Sequence, residues 1–290
     1  MTKEILSSIY DYTLDELKEK LKPSFRAKQV YNWLYKKYAN SYDDMKNLPK
    51  ELIEDLKANY PIDILKVVKK EQSSDGSIKY LFKLRDNHTI EAVLLLMKDK
   101  KIDEDGQIVR SEKYTVCISS QVGCKVGCSF CLTAKSGFVR NLTVGEYIAQ
   151  IVHIKRDNEI AENKALNIVY MGMGEPLDNF DNFVKAVEIF SELDGLAISR
   201  RRQTVSTSGI ASKIKKLGEK DLQIQLAISL HAVDDELRSE LIPMNKAYNI
   251  ASIIEAVKAF PVDTRKKVMF EYLVIKDKND SLDAAKKLVK

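Results

Sequence analysis

From Tyr114 onward, short runs of β-branched and aliphatic residues alternate with stretches of helical periodicity, and this alternation most narrows the fold. Residues 114–119, 166–171, 202–207, 222–231 and 267–275 read as strands, and residues 144–156, 182–193, 211–217, 234–241 and 250–260 read as helices. Strands separated by helices lie parallel, because a parallel connection needs a long crossover, and the helices then cover the sheet. The 177 residues from Tyr114 to Lys290 are too few for a closed eight-stranded barrel of about 250 residues. The expected α/β architecture is therefore an open, partial TIM-like βα barrel, with its chemistry at the C-terminal ends of the strands.

Two smaller units precede it. Residues 1–60 read as a helical unit. Thr13 and Glu16 form a capping box ahead of Leu14, Leu17 and Leu21. A second helix over 25–38 places Val30, Trp33 and Leu34 on one apolar face, so Trp33 is expected in the core. Pro49 opens a third helix to about Asn59. Between Lys18 and Tyr38, seven basic residues face one acidic residue, Glu19, with Phe25, Tyr31 and Tyr35 interleaved. Cations for phosphates and rings for stacking suit a nucleic-acid surface; a solvated helix face over a small core is the alternative. Residues 61–113 read as a small bridging sheet, with strands 64–71, 78–84 and 90–96, turns at 73–76 and Asp86–Asn87, and a surface loop over 97–113. The expected division is 1–60, 61–113 and 114–290.

The segment SSQVGCKVGCSFCLTAKS (119–136) follows the first barrel strand and holds Cys124, Cys128 and Cys131. Soft thiolates at that density suit an iron–sulfur cluster or zinc. Three thiolates on a four-iron cluster leave one iron without a protein ligand, and an open position is where a metal site does chemistry. Cys117, inside the strand, is either a small buried hydrophobe or the fourth ligand of a structural zinc site. The latter would make the chain a non-catalytic RNA-binding protein, although zinc ribbons prefer two separated C-x2-C pairs. After the second strand comes MGMGEP (171–176), where Gly174 lets a ligand approach the backbone and Glu175 offers an anion to an ammonium. Ser206 follows the third strand, as a ligand contact or a helix cap. Ser229, Leu230 and His231 follow the fourth, where a histidine is commonly a satisfied structural group. Glu91, in TIEAVLLL, is a carboxylate beside a strongly apolar run, and period two allows it to be an edge charge in water. Arg200–Arg202 reads as a solvated loop.

C-x3-C-x2-C on a loop after a strand resembles the signature of radical S-adenosylmethionine enzymes. SSQVGCKVGCSFCLTAKSGF and GMGEP resemble more narrowly the RlmN family of RNA methyltransferases, which modify carbon 2 of adenine, and FRAKQVYNWLYKK resembles its N-terminal accessory domain. The likeness runs from about Ser24 to Lys290. It implies that Cys124, Cys128 and Cys131 hold a 4Fe-4S cluster. It assigns Gly174, Glu175, Ser206, Ser229, Leu230 and His231 to S-adenosylmethionine, and makes Glu91 the proton acceptor. Cys117 would pair transiently with a methyl-carrying cysteine near the family's C-terminus. One S-adenosylmethionine methylates that cysteine, and a second yields the radical that activates the methyl group. The implied partners are 23S rRNA at the peptidyl-transferase centre, tRNA at the adenine 3′ of the anticodon, and an electron donor such as flavodoxin, the chain acting as a monomer. Pro176 and LTAKSGF favour this family over related enzymes acting at carbon 8; a radical enzyme with another substrate is the remaining alternative. The family pattern continues past Lys290 with a strand, a cofactor-contacting asparagine and the methyl-carrying cysteine. All four cysteines here precede residue 132, so a C-terminally truncated fragment or short form is expected.

The net charge of +5 permits an RNA partner without demanding one. Crowded cysteines point to a reducing compartment. The N-terminal stretch MTKEILSSIYDYTLDELKEK lacks the apolar run of a signal peptide, and no run of 18 apolar residues suggests a membrane span. A cytoplasmic location away from membranes is expected.

Overall fold

The computed structural model describes residues 7–98, 101–102, 108–110, 112–162, 164–262 and 268–289. The helices of the N-terminal unit are α1 (Leu14–Lys20), α2 (Phe25–Tyr35) and α3 (Lys50–Asn59). Strands β1 (Leu65–Gln72), β2 (Ile78–Leu84) and β3 (Thr89–Lys98) follow, then a ribbon of β4 (Lys101–Ile102) and β5 (Ile108–Arg110). Next come β6 (Lys113–Cys117), β7 (Gln121–Gly123), the one-turn α4 (Leu132–Lys135), β8 (Phe138–Asn141) and α5 (Val144–Asp157). The remainder alternates as β9 (Leu166–Tyr170), α6 (Phe180–Ser191), β10 (Gln203–Thr207), α7 (Ala211–Lys220), β11 (Gln225–Ser229), α8 (Asp235–Leu241), α9 (Ile250–Lys258), β12 (Met269–Glu271) and α10 (Leu282–Val289).

One eight-stranded sheet runs β1-β2-β3-β6-β9-β10-β11-β12. From β6 to β12 every pairing is parallel, which is the expected open half-barrel. β3 pairs antiparallel with β6, matching Val93 with Cys117. Residues 61–113 therefore extend the barrel sheet instead of forming a separate bridging sheet. The stretch expected as a loop over 97–113 contains the β4–β5 ribbon; residues 99–100, 103–107 and 111 lie outside the described residues.

The strands alternate sides. In β9, Leu166, Ile168 and Tyr170 are buried, whereas Asn167 and Val169 are half-buried. Tyr170 meets Tyr147 of α5 at 6.1 Å and Phe183 of α6 at 4.7 Å between ring centroids, so this face is the one the helices cover. Paired residues share a face. The registers Cys117↔Val93, Cys117↔Val169, Thr204↔Val169, Ser206↔Ala227 and Ser229↔Glu271 therefore place Glu91, Cys117, Ser206, Ser229 and Glu271 together on the opposite, inner face.

In the N-terminal unit the Thr13–Glu16 capping box forms as read. Helix α2 ends three residues early, at Tyr35. Trp33 is not in the core but at its edge: half-buried, its Nε1–H donates to Asn47 Oδ1 at 2.5 Å, and Lys37 Nζ stands 3.7 Å above its ring. Tyr31 and Tyr35 are fully buried, so neither is free to stack on a base; Phe25 is exposed. The unit is tied to the barrel where Gly145 N–H, in the first turn of α5, donates to Asp11 Oδ1 at 2.6 Å.

Candidate active site

The cysteine segment is clasped at its base. β7 and β8 pair on either side of it, and Cys124 N–H donates to Gly137 O at 2.9 Å. Gly123 has φ +75°, and a β-carbon there would lie 1.8 Å from Gly137 O, so only glycine closes the ribbon. Between the two ends, Val126 packs on Ala232, Leu241 and Ile242, with Cys124 and Cys128 against the same cluster.

Ser119, Ser120 and Gln121 join this segment to the turn after β9. Ser119 Oγ accepts from Met173 N–H at 2.9 Å and donates to Glu91 O at 2.6 Å. Ser120 N–H donates to Met173 O at 2.7 Å. Buried Gln121 accepts from Glu175 N–H through Oε1 at 2.9 Å, and its Nε2 donates to Asn141 and Asp178, each at 2.8 Å. Gly174, with φ +102°, leaves no room for a β-carbon, which would lie 2.5 Å from Gln121 Cβ. That close approach is what brings the glycine turn beside the cysteines.

A cavity of about 330 Å³ opens at the C-terminal ends of the strands. It is lined by Cys124, Cys128 and Cys131, by Gly174 and Glu175, by Ser206, Ser229 and His231, and by Glu271 of β12, which sequence reasoning did not single out. Its volume suits a cofactor-sized ligand. Glu175 is buried, and its carboxylate is already engaged: Oε2 accepts from Ser208 N–H at 2.7 Å and Ser208 Oγ at 2.8 Å, and Oε1 from Leu177 N–H at 3.0 Å. Burial raises its pKa, with the Ser208 and Leu177 bonds opposing. Ser206 and Ser229 donate to Glu271 Oε2 at 2.7 and 3.2 Å. His231 Nδ1 accepts from Leu273 N–H at 3.0 Å, which leaves the proton of the neutral ring on Nε2; burial lowers its pKa, helped by Arg238 and opposed by Glu271.

Three expected residues are placed differently. Leu230 does not line the cavity: its N–H donates to Glu271 O at 3.0 Å and its carbonyl accepts from Arg238 Nε at 3.1 Å. Glu91 shares the inner face but not the expected apolar setting. It is half-exposed and paired with Lys79 Nζ at 2.8 Å, because β2 presents Lys79 to the same face. Cys117 lies back in β6, half-buried; burial raises its thiol to about 11, against a hydrogen bond from the Met171 backbone. All four cysteines are free thiols. The Arg200–Arg202 turn, half-buried at Arg200 and exposed at Arg201 and Arg202, lies at the N-terminal end of β10, away from the cavity.

Arg238 of α8, also missed by sequence reasoning, is wholly buried and supports the cavity wall. Its guanidinium donates to Ser208 O at 2.7 Å, Ser229 O at 2.9 Å and Asn245 Oδ1 at 2.8 Å, tying the ends of β10 and β11 together.

The thiols of Cys124 and Cys128 are pushed up to about 11 and about 12, first by burial and then by neighbouring acidic groups, Cys131 and Glu175 among them for both. Among the described residues, no three His, Cys, Asp or Glu side chains are grouped as the ligands of one metal ion would be. Cys124, Cys128 and Cys131 line one open cavity, and three soft thiols so placed suit a cluster that takes one thiolate at each of three corners.

Parallel half-barrel, cysteine triad and cavity together define a radical S-adenosylmethionine enzyme, and the Radical SAM superfamily model matches residues 118–289. The ribosomal RNA large subunit methyltransferase N-terminal domain model matches residues 9–62. The chain is similar to the dual-specificity RNA methyltransferase RlmN of Aliarcobacter butzleri, at 93% identity over 100% of this chain and 80% of the relative. It is also similar to that of Sulfurimonas denitrificans, at 65% over 98% and 80%. A crystal structure of a radical SAM methyltransferase from Sphaerobacter thermophilus superimposes with a TM-score of 0.87 at 42% identity, covering 97% of this chain and 80% of that one. The chain belongs to the RlmN family of dual-specificity RNA methyltransferases. Among the described residues, no helix is long and apolar enough to cross a membrane.

Proposed function

We propose that the chain binds a 4Fe-4S cluster through Cys124, Cys128 and Cys131 and S-adenosylmethionine in the adjoining cavity, and methylates carbon 2 of adenine in 23S rRNA and tRNA. The observation that carries this reading is the shared cavity. The three thiols and five of the expected cofactor residues, Gly174, Glu175, Ser206, Ser229 and His231, open onto one space at the strand ends. Carbon 2 of adenine has no acidic proton to exploit, and the radical chemistry needed there is the cofactor's, while the protein supplies position and exclusion of water.

The chain's own residues divide the work. Gly174 brings the backbone of the glycine turn to the cysteine loop, and Glu175 fixes that turn to Ser208 beyond β10. Lys79 Nζ, 2.8 Å from Glu91 Oε1, positions the side chain that the family reading makes the proton acceptor. Cys117 faces the same inner surface from β6. The reductant is an electron donor such as flavodoxin, and the protein acts as a cytoplasmic monomer.

The test is an anaerobic assay of the reconstituted protein with S-adenosylmethionine, a reductant and unmodified ribosomal RNA. Mass spectrometry follows 5′-deoxyadenosine and 2-methyladenosine together. Both products, lost in Cys128→Ala, support the reading. 5′-Deoxyadenosine alone supports the cluster and cofactor site and assigns the missing methyl transfer to the methyl-carrying cysteine that the family pattern has past Lys290. Neither product, in a protein holding zinc and no iron, overturns the enzyme reading in favour of a structural zinc site.

A further inference from the structure

Arg238 is a wholly buried cation with no anion of its own. Its guanidinium donates only to neutral acceptors: Leu230 O at 3.1 Å, Ser208 O at 2.7 Å, Ser229 O at 2.9 Å and Asn245 Oδ1 at 2.8 Å. Asp235, which precedes it in α8, is exposed and accepts instead from Asn245 Nδ2 at 3.0 Å and Ile250 N–H at 2.9 Å. Ser208 stands between Arg238 and Glu175, giving its carbonyl to one and its N–H and hydroxyl to the other. A buried charge is costly unless something compensates it. What Arg238 faces is the cysteine segment. Cys128 packs on the Val126, Ala232, Leu241 and Ile242 cluster, as does Leu237 beside Arg238, and Ser129 N–H donates to Leu241 O at 3.0 Å. Burial lowers the Arg238 pKa to about 10, with Asp235 and the Cys128 thiolate opposing, so the guanidinium stays charged at neutral pH.

We propose that Arg238 tunes the reduction potential of the cluster held by Cys124, Cys128 and Cys131, raising it toward the reach of the electron donor; this rests on the proposed cluster. Reduction brings one electron, and no proton, to a site that three thiolates already make anionic. A fixed positive charge in the protein interior stabilises the more negative, reduced form more than the oxidised one. The charged groups that dominate around the thiols themselves are acidic, Glu175 for Cys124 and Cys128 and Asp178 for Cys124, and these act in the opposite sense. Because the acceptors around Arg238 are neutral, its field is not cancelled as a carboxylate partner would cancel it. Its bonds to the ends of β10 and β11 hold the guanidinium in one place beside the cysteine loop.

The test is a redox titration of the reconstituted protein, followed by electron paramagnetic resonance, without S-adenosylmethionine or RNA. Arg238→Gln removes the charge and is expected to move the reduction equilibrium at least about tenfold toward the oxidised cluster, a potential about 59 mV more negative. Arg238→Lys keeps the charge and loses the planar fork. It is expected to melt at a lower temperature than wild type, as Arg238→Gln does, yet to hold a potential close to that of wild type. A strut without an electrostatic role would shift the potential in both variants alike or in neither, and either result overturns the proposal, as does an upward shift in Arg238→Gln. Iron and sulfide per chain are measured first. Wild type without iron removes the cluster reading and this inference with it, whereas iron present with an unmoved potential in Arg238→Gln overturns the inference alone. Should Arg238→Gln not fold, Arg238→Met, which removes the charge without leaving a second polar group buried, carries the same expected shift and the same overturning result.

Discussion

Lys155 shows how much a single residue can be asked to tolerate. It is 1% exposed at the last turn of α5; its ammonium donates to Ala161 O at 3.3 Å and lies 5.5 Å from the Tyr38 ring. Burial lowers its pKa from 10.5 to about 8, with Glu162 opposing and Lys36 adding to the drop. A buried cation with so few partners costs stability while both folded and unfolded chains are protonated. Between about pH 8 and 10.5 the unfolded chain binds the extra proton, so this residue's contribution improves as pH rises. Lys155→Met is therefore expected to be more stable than wild type at pH 7, by on the order of 1–3 kcal/mol. Urea midpoints should show that advantage shrinking between pH 8 and 10; a constant gap would refute the account. At this same scale the sequence was least legible. Glu271 sits at the end of a three-residue strand with no motif around it, and Arg238 lies in DELRSEL, which reads as a solvated helix. Gln121 gains its role only when the chain brings Asn141, Asp178 and Glu175 to it.

The ribbon of β7 and β8 carries the cysteine segment, and Arg140 of β8 is its anchor. Its guanidinium meets both oxygens of Glu146 at 2.7 and 2.8 Å and Asp86 Oδ2 at 2.6 Å, joining the ribbon to the first turn of α5 and to the β2–β3 turn. Burial tends to raise the Asp86 pKa, but Arg140 outweighs it and the net shift is downward. Arg140→Met leaves two carboxylates facing one another and is expected to cost about 2 kcal/mol, less than a fully buried pair would lose because the site is partly open to water. Thermal unfolding and iron per chain after reconstitution would both fall; an unchanged melting temperature would show that the ribbon holds itself. Lys216→Met, which breaks the exposed pair with Asp181, serves as the control with little expected effect. Elements of this kind divide by length in how well sequence reveals them. The long alternations of the half-barrel follow from periodicity, and the cysteine spacing marks the loop. Strands of three and four residues such as β7 and β8 carry too few positions to show a period, and α2 stops at Tyr35 although its sequence continues to favour helix.

Across the whole molecule, charge divides between fold and surface. Many lysines that looked available on the N-terminal unit are committed: Lys18 to Asp15, Lys28 to Asp194 and Lys36 to Glu162. With Tyr31 and Tyr35 in the core, the surface left for a polyanion on α2 and just beyond it is narrower than the sequence suggested. It comprises Phe25 with Arg26 4.8 Å from its ring, and Trp33 with Lys37 above it. Each cation lies on an aromatic face, so phosphate contact and base stacking come as paired groups. If this surface holds RNA, Arg26→Ala with Lys37→Ala should weaken binding of an unmodified rRNA fragment. It should also reduce the slope of log affinity against log salt by about 2, roughly one per cation removed. Phe25→Ala should weaken binding with the slope unchanged, because a stacking contact releases no counterion. Formation of 5′-deoxyadenosine without RNA should be the same in all three proteins, since these residues lie on the helical unit and not at the cavity. A salt slope identical to wild type in the double variant would place the RNA elsewhere, with the inner face of β1–β3 and its Lys66 and Lys83 as the next surface to test.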